Sequence, residues 1–446
     1  MGSLVVRSGR IVLPDGMRAA SLYVRDGVIE RVAPYGDRPA AVPVVDAGEL
    51  VVMPGVVDSH VHVNDPGRAH WEGFDTATRA AAAGGVTTLV DMPLNSIPPT
   101  TTADGLAAKH AAAVGRVFVD VAFWGGMVPG NSADFQPLAR AGVRGFKCFL
   151  CPSGVDEFHH VTEADLRLGM PVIAELGLPL LAHAELPDAL RSVGGSTEAH
   201  ETWRRSRPPE AERAAIALLV ALSREFGTRV HIVHLASAEA VESVRQARMQ
   251  GVRITGETCP HYLTFAAEEI PDRATVFKCA PPIREGRQRE ALWNGLRRGD
   301  IDLIATDHSP APPDMKHVED GDFVRAWGGI ASVQIGLAAV WTGASARSIP
   351  LEAVSRWMSG APARLAGLSA SKGSISAGAD ADLVIWDPDA IAVVDPATLL
   401  HRHPLTPYAG MRLRGVVRTT LLRGEIVFRD GQVLPRPQGK VIASPA

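Results

Sequence analysis

Three observations predict an α/β protein built as a closed (β/α)8 TIM barrel with a small β-sandwich formed by both chain ends. Short apolar runs alternate with longer alanine- and charge-rich helical patterns through the middle of the 446-residue chain. There are eight such runs, at 56–61, 87–91, 119–124, 145–150, 178–183, 229–234, 252–255 and 302–305. Both ends, in contrast, read as short β-branched strands divided by Asp-Gly turns. An open doubly wound sheet is the alternative architecture. A dinucleotide-binding version of it would place a Gly-rich turn after the first strand. Here the first run ends instead in Asp58-Ser-His-Val-His62.

At the N-terminal end, strands are expected at 4–13, 21–25 and 28–33, with turns at Asp15-Gly16 and Asp26-Gly27. At the other end they are expected at 381–386, 416–422 and 425–428, with a turn at Asp430-Gly431. Two β-rich ends around a different middle imply one discontinuous domain. The expected division is 1–53 and 366–446 for the two parts of the sandwich, and 54–365 for the barrel. Helical patterns stand out at 74–83 and 210–226, and the tail from Pro435 is expected to be loosely held.

Composition narrows the class of function. Forty-five basic and 49 acidic residues give a net charge of -4, with no basic run, which argues against a nucleic-acid partner. The 4 cysteines are too few for a disulfide framework, so a reducing, cytoplasmic setting is expected. The first residues lack the order of a signal peptide, and Val6 stands where a myristoylation motif wants Ser or Thr. The longest apolar stretch, around Ala214 to Leu222, is too short to span a bilayer, so no membrane association is expected.

In a barrel, chemistry sits at the carboxyl ends of the strands. Five of the eight predicted ends carry a metal-competent group: His60 with His62, then Lys147, His183, His234 and Asp307. Residues two apart on a strand point to the same face, so His60 and His62 can share a metal ion. His401-Arg-His403 has the same spacing but lies among loop residues, and is read as surface.

Lys147 is one of only six lysines, and it interrupts the apolar strand Gly145-Phe-Lys-Cys-Phe-Leu150. A buried lysine loses its charge readily, and the neutral amine is a nucleophile. Either it snorkels or pairs with an acid, or carbon dioxide carboxylates it into an anionic oxygen ligand able to bridge two ions. Asp307 can bind metal and move a proton, or merely cap the next turn; His308 beside it reads as structural. Cys148 and Cys151 form a C-x-x-C with no second pair at zinc-ribbon spacing, and are read as packing residues. His159, His160 and His200 are read as loop residues rather than ligands, within segments that could form a lid.

His60-Val-His62, Phe146-Lys147, Ala182-His183, Val233-His234 and Thr306-Asp307-His308 resemble the metal-binding pattern of the cyclic amidohydrolases, part of the amidohydrolase superfamily. The likeness reaches Gly378-Ala-Asp-Ala-Asp-Leu383 near the C-terminal end. Within that family the chain most resembles the allantoinases. Asn64-Asp-Pro-Gly-Arg68, Trp71-Glu-Gly-Phe74, Met92-Pro-Leu-Asn95, Cys259-Pro-His-Tyr262, Lys278-Cys-Ala-Pro-Pro-Ile-Arg284, the segment from Thr306 to Lys316, and Ala326-Trp-Gly-Gly-Ile330 carry it.

The resemblance implies two divalent ions per subunit, with zinc first and cobalt, manganese or iron as alternatives. His60, His62, carboxylated Lys147 and Asp307 would hold one ion, and Lys147, His183 and His234 the other. It implies a homotetramer acting on a small molecule, allantoin, whose hydantoin ring amide would be opened to allantoate with Asp307 as general acid and base. Asn95, Arg68, Ala280 and Trp327 are the expected substrate contacts, although Arg68 could equally form a salt bridge at the barrel mouth. Dihydroorotases resembling this chain carry an arginine where Asn64 stands, and hydantoinases carry a tyrosine where Pro152 stands. Both differences favour allantoin. Ala280 departs from the serine often found there. The remaining alternatives are a hydantoinase or dihydropyrimidinase and a non-catalytic scaffold.

Overall fold

The computed structural model of the chain describes residues 2–37 and 42–442. The N-terminal strands β1 (Ser3–Leu13), β2 (Gly16–Arg25) and β3 (Val28–Pro34) form an antiparallel meander. Asp26 and Gly27 turn β2 into β3 at φ 51° and 87°, the pair of positive values that a type I′ hairpin requires. Strands β4 (Val44–Asp46) and β5 (Val51–Pro54) then run parallel to β1.

The barrel follows. Its strands are β6 (Val56–Val61), β7 (Val86–Asp91), β8 (Asp120–Phe123) with its continuation β9 (Gly125–Gly126), β10 (Phe146–Phe149), β11 (Pro179–His183), β12 (Arg229–Ile232), β13 (Ile254–Thr258) and β14 (Leu303–Ile304). Each pairs in parallel with its neighbour in chain order, except that β8–β9 meets β10 partly through isolated bonds such as Arg144 N to Phe123 O at 2.9 Å. The ring closes where Val61 bridges His308, with His62 N donating to His308 O at 2.8 Å. Such strands are buried on both faces, which is why they read as unbroken apolar runs rather than as alternating ones.

After the barrel come β15 (Leu383–Val393), β16 (Arg412–Leu422), β17 (Glu425–Arg429) and β18 (Gln432–Val433). β15 lies antiparallel to β5 and so joins the two chain ends in one sheet, ordered β18-β17-β16-β15-β5-β1-β2-β3 with β4 beside β1. The two faces of that sheet have different partners. Val51, Met53, Val384 and Trp386 pack toward the barrel, whereas Val52, Leu383 and Ile385 belong to the sheet's own core, as a side-chain period of two dictates. Lys372 pins the sheet to the base of the barrel. Its Nζ lies 2.6 Å from Asp120 and 2.6 Å from Asp382, both buried, and 2.9 Å from the half-buried Asp380.

Four sequence expectations are corrected. The tail is not loose as far as it is described. Gly439 N donates to Val117 O and Ile442 N to Val121 O, so the tail lies along β8. Gly439 approaches so closely that a Cβ there would fall 2.1 Å from Val119 O. β15 continues past Asp387-Pro388, whose turn-like composition conceals a bulge between Asp387 and Ile391. His401 is buried rather than on the surface, its ring 5.7 Å from that of His308. His200 is buried too, at the start of the helix His200–Ser206. Among the described residues no helix is long and apolar enough to cross a membrane.

Candidate metal centre

At the carboxyl end of the barrel, β6, β10 and β11 and the residues just after β6, β12 and β14 bring His60, His62, Lys147, His183, His234 and Asp307 together. His60 Nε2 and His62 Nε2 lie 3.2 and 3.4 Å from the same Asp307 oxygen. The His60 ring is 5.4 Å from that of His62 and 5.5 Å from that of His234, which is 4.7 Å from that of His183. His234 and Asp307 hold φ values of 43° and 48°, a conformation costly for non-glycine residues and concentrated at functional sites. Here it turns both side chains inward at the point where the strand ends.

Burial and charge set the protonation of the group. Burial pushes the His62 imidazole down to about 4 and holds His234 well below its ordinary value, so both are neutral. Burial works to raise the Asp307 carboxyl, but His60 and the hydrogen bond from His62 outweigh it and keep it ionised. Lys147 is fully buried, 4.4 Å from the Phe149 ring, and its Nζ has no hydrogen-bond partner. Burial draws its amine down to about 8, against the pull of Asp307.

An unpartnered buried amine among neutral imidazoles and an ionised carboxylate is a costly arrangement for a bare protein. It matches what divalent ions require. One ligand atom each from His60, His62 and Asp307 already lie within 4.8 Å of one another. The donor set therefore fits a metal centre.

A layer behind these residues went unseen in the sequence. Glu257 on β13 takes the Nδ1–H of His60 at 2.5 Å and lies 3.1 Å from Nε2 of His231. Glu185 lies 2.7 Å from Nε2 of His183 and is itself held by Arg207 at 2.6 Å. Glu257 occupies Nδ1 of His60 and leaves Nε2 to face Asp307, while Glu185 occupies Nε2 of His183, the usual support of a ligating histidine. Glu185 had a signal, since it stands two residues beyond His183. Glu257 was hidden because Gly256 and Glu257 break the apolar run before β13 ends. Asp58 binds the backbone N–H of both His60 and Thr306, at 3.2 and 3.1 Å, and so ties the first strand to the last beside Asp307.

Other expectations sort by position. His308 accepts from the N–H groups of Ser332 and Val333 at 3.1 and 3.3 Å and does not enter the centre. Cys148 is core, while Cys151 is buried next to the Glu185–Arg207 pair, 3.4 Å from Arg207 Nη2. A cavity of about 320 Å³ opens over the six residues, with Asn95, Ala280 and Trp327 in its wall together with Trp203, Arg207 and Lys278. Asn95 Oδ1 is buried there without a partner. Arg68, expected as a substrate contact, is not in that wall: it forms an ion pair with Glu157. Lys278 and Lys316 fasten the loop carrying Trp327. Lys278 Nζ donates to Ala326 O at 2.5 Å and Lys316 Nζ to Trp327 O at 3.0 Å. Burial lowers both amines to about 7.

The model of the amidohydrolase family matches residues 51–427. The chain is 50% identical to an allantoinase of Streptomyces avermitilis, over 99% of this chain and 98% of that protein. It is 44% identical to an allantoinase of Arabidopsis thaliana, over 96% of this chain and 88% of that protein. Among solved structures, an L-hydantoinase (dihydropyrimidinase) from Arthrobacter aurescens superposes with a TM-score of 0.93 at 31% identity, covering 99% of this chain and 100% of that one. A dihydropyrimidinase from Brevibacillus agri gives 0.91 at 26%, covering 99% and 98%. With the barrel, the strand-end donors and these likenesses in agreement, the chain belongs to the amidohydrolase family.

Proposed function

We propose that this protein is a metal-dependent cyclic amide hydrolase that opens the hydantoin ring of allantoin to give allantoate, a step of purine and ureide catabolism. The observation that carries this reading is the convergence of His60, His62, Lys147, His183, His234 and Asp307 beneath one cavity, in a chain similar to allantoinases along nearly its whole length.

His60, His62, Lys147 and Asp307 would hold one divalent ion and Lys147, His183 and His234 a second, with zinc the first candidate and cobalt, manganese and iron the others. The neutral amine of Lys147 would take up carbon dioxide and release a proton, and the resulting carbamate would supply anionic oxygen donors to both ions. When bound, the ions make water nucleophilic at neutral pH and polarise the ring carbonyl.

The protein's own share is positional and acid–base. Asp307 accepts the proton of the attacking water and passes it to the departing ring nitrogen. The ring C–N bond breaks, the acyl carbon becomes a carboxylate, and the nitrogen leaves as N–H. Asn95, with its free buried Oδ1, orients the ureido arm, while the backbone at Ala280 and Trp327 flanks the ring. Asn64 and Pro152 stand where related enzymes acting on other rings carry arginine and tyrosine, which supports allantoin as substrate.

A hydantoinase or dihydropyrimidinase is the second reading, favoured by the structural neighbours. A non-catalytic scaffold is disfavoured because all six ligand positions are filled. The proposal extends to a homotetramer in the cytoplasm, and to a division into a barrel at 54–365 and a sandwich from 1–53 and 366–446. Initial rates on allantoin, dihydroorotate, dihydrouracil and hydantoin, with zinc, cobalt or manganese in bicarbonate buffer, test the substrate. Dominant allantoin turnover is expected. Preference for another ring would overturn the substrate and leave the hydrolytic centre standing.

A further inference from the structure

Arg68 lies outside the cavity wall, yet it touches two of the neighbouring loops that surround it. It sits on the loop after β6. Its Nη1 donates to the backbone carbonyl of Asn95, on the loop after β7, at 2.9 Å. The same nitrogen pairs with Glu157, on the loop after β10. We propose that the Arg68–Glu157 pair is a positioning device that holds Asn95 ready for the ureido arm of the substrate. This rests on the allantoin reading for the identity of the arm, but not for the coupling between the residues.

The case begins with the backbone of Asn95. Its φ is 68°, in the left-handed region that a non-glycine residue keeps only when its surroundings impose it. That conformation points the Asn95 side chain into the cavity wall, where Oδ1 is buried and unpartnered. The Arg68 bond fixes the carbonyl of the same residue, and so the peptide on which the side chain depends. The two loops are also pressed together at Gly67, with φ 87°. Ile97 N donates to Pro66 O at 2.8 Å, and a Cβ on Gly67 would lie 2.6 Å from the Cβ of Ile97. Nothing larger than glycine fits there.

The guanidinium also lies 5.0 Å from the Trp71 ring, and Trp71 meets Trp327 edge-on at 5.0 Å. Trp327 is in the cavity wall and on the loop after β14. Arg68, with Trp71 beside it, thus links loops from four strands. Its side-chain exposure is 18%, and that of Glu157 is 25%. The pair is thus largely shielded from solvent, and it holds the guanidinium in place against the Asn95 carbonyl. A ureido group carries both N–H donors and a carbonyl acceptor, and a primary amide held at a fixed angle can answer both.

The test is a double-mutant cycle of Arg68→Met and Asn95→Ala in the metal-loaded enzyme, with Glu157→Gln beside it. A displacement of the order of an ångström is costly, so Arg68→Met is expected to raise KM for allantoin by about tenfold or more while kcat changes less. Metal content is expected to stay normal. In the Asn95→Ala background the same change is expected to add less than about twofold, because its effect runs through Asn95. Glu157→Gln is expected to move KM in the same direction, and it reads the same split if Arg68→Met fails to fold. Penalties that multiply independently, or a loss of bound metal in Arg68→Met, would overturn the proposal. Wild-type enzyme that ignores allantoin but opens another ring would remove the ureido arm. The cycle on that ring would then decide the coupling alone.

Discussion

Glu257 and His60 meet at 2.5 Å, carboxylate to Nδ1, in a part of the barrel closed to solvent. The contact fixes which nitrogen of His60 faces Asp307, and Glu257 reaches His231 with its other oxygen. Burial opposes ionisation of Glu257, yet the two imidazoles outweigh it and hold the carboxyl down at about 2. Glu257→Gln is expected to weaken metal binding by about 10–100-fold, read by competition with a chelator. Unchanged affinity would show that the ring is oriented by its packing alone.

Asp307 is the one member of the centre given a proton-transfer role. Replacement by Asn keeps the size of the side chain and an oxygen donor but cannot accept the proton. Asp307→Asn is expected to lower kcat by about 10²–10⁴-fold while retaining most of its metal. Near-normal kcat in fully loaded protein would assign the acid–base step to another group.

Lys147 must be neutral to react with carbon dioxide. With its amine drawn down to about 8 by burial, the reactive fraction grows as pH rises through that value. Metal uptake by stripped protein held at a constant concentration of dissolved carbon dioxide is therefore expected to be faster at about pH 9 than at about pH 7. Lys147→Ala is expected to lose the metal pair and to regain partial activity with short carboxylic acids. Failure of that rescue would count against the carbamate.

Acid is expected to destabilise the fold through histidines away from the centre as well. Burial holds His200 and His401 down to about 4, and none of their ring nitrogens has a hydrogen-bond partner. A depressed folded value means that the unfolded chain takes up protons first. The stabilising share is thus present above the ordinary histidine value and lost as pH falls through the interval down to about 4. The melting temperature is expected to drop across this window. His200→Phe, at a site already packed edge-on against Phe323, is expected to flatten the drop. Identical pH profiles would contradict the assignment.

Much of this was legible because a barrel confines its chemistry to strand ends. Once the eight runs were placed, His60, His62, Lys147, His183, His234 and Asp307 fell at one end of the ring without further assumption. What escaped depended on contacts made in space. Glu257 looked like part of a loop because Thr255-Gly-Glu-Thr258 is polar, yet β13 runs through it and its carboxylate is satisfied by histidines from two other strands. His401 shared the His-x-His spacing but stood among loop residues and read as surface, whereas packing beside His308 buries it. Arg68 carried the right charge for a substrate contact, and only the fold reveals Glu157 as its partner.

Allantoin turnover as a function of metal added to stripped protein in bicarbonate buffer tests the central claim most directly. The account predicts that activity rises until two divalent ions are bound per chain and then levels off, with both ions lost in Lys147→Ala. Full activity at a single ion, or two bound ions without allantoin hydrolysis, would contradict it.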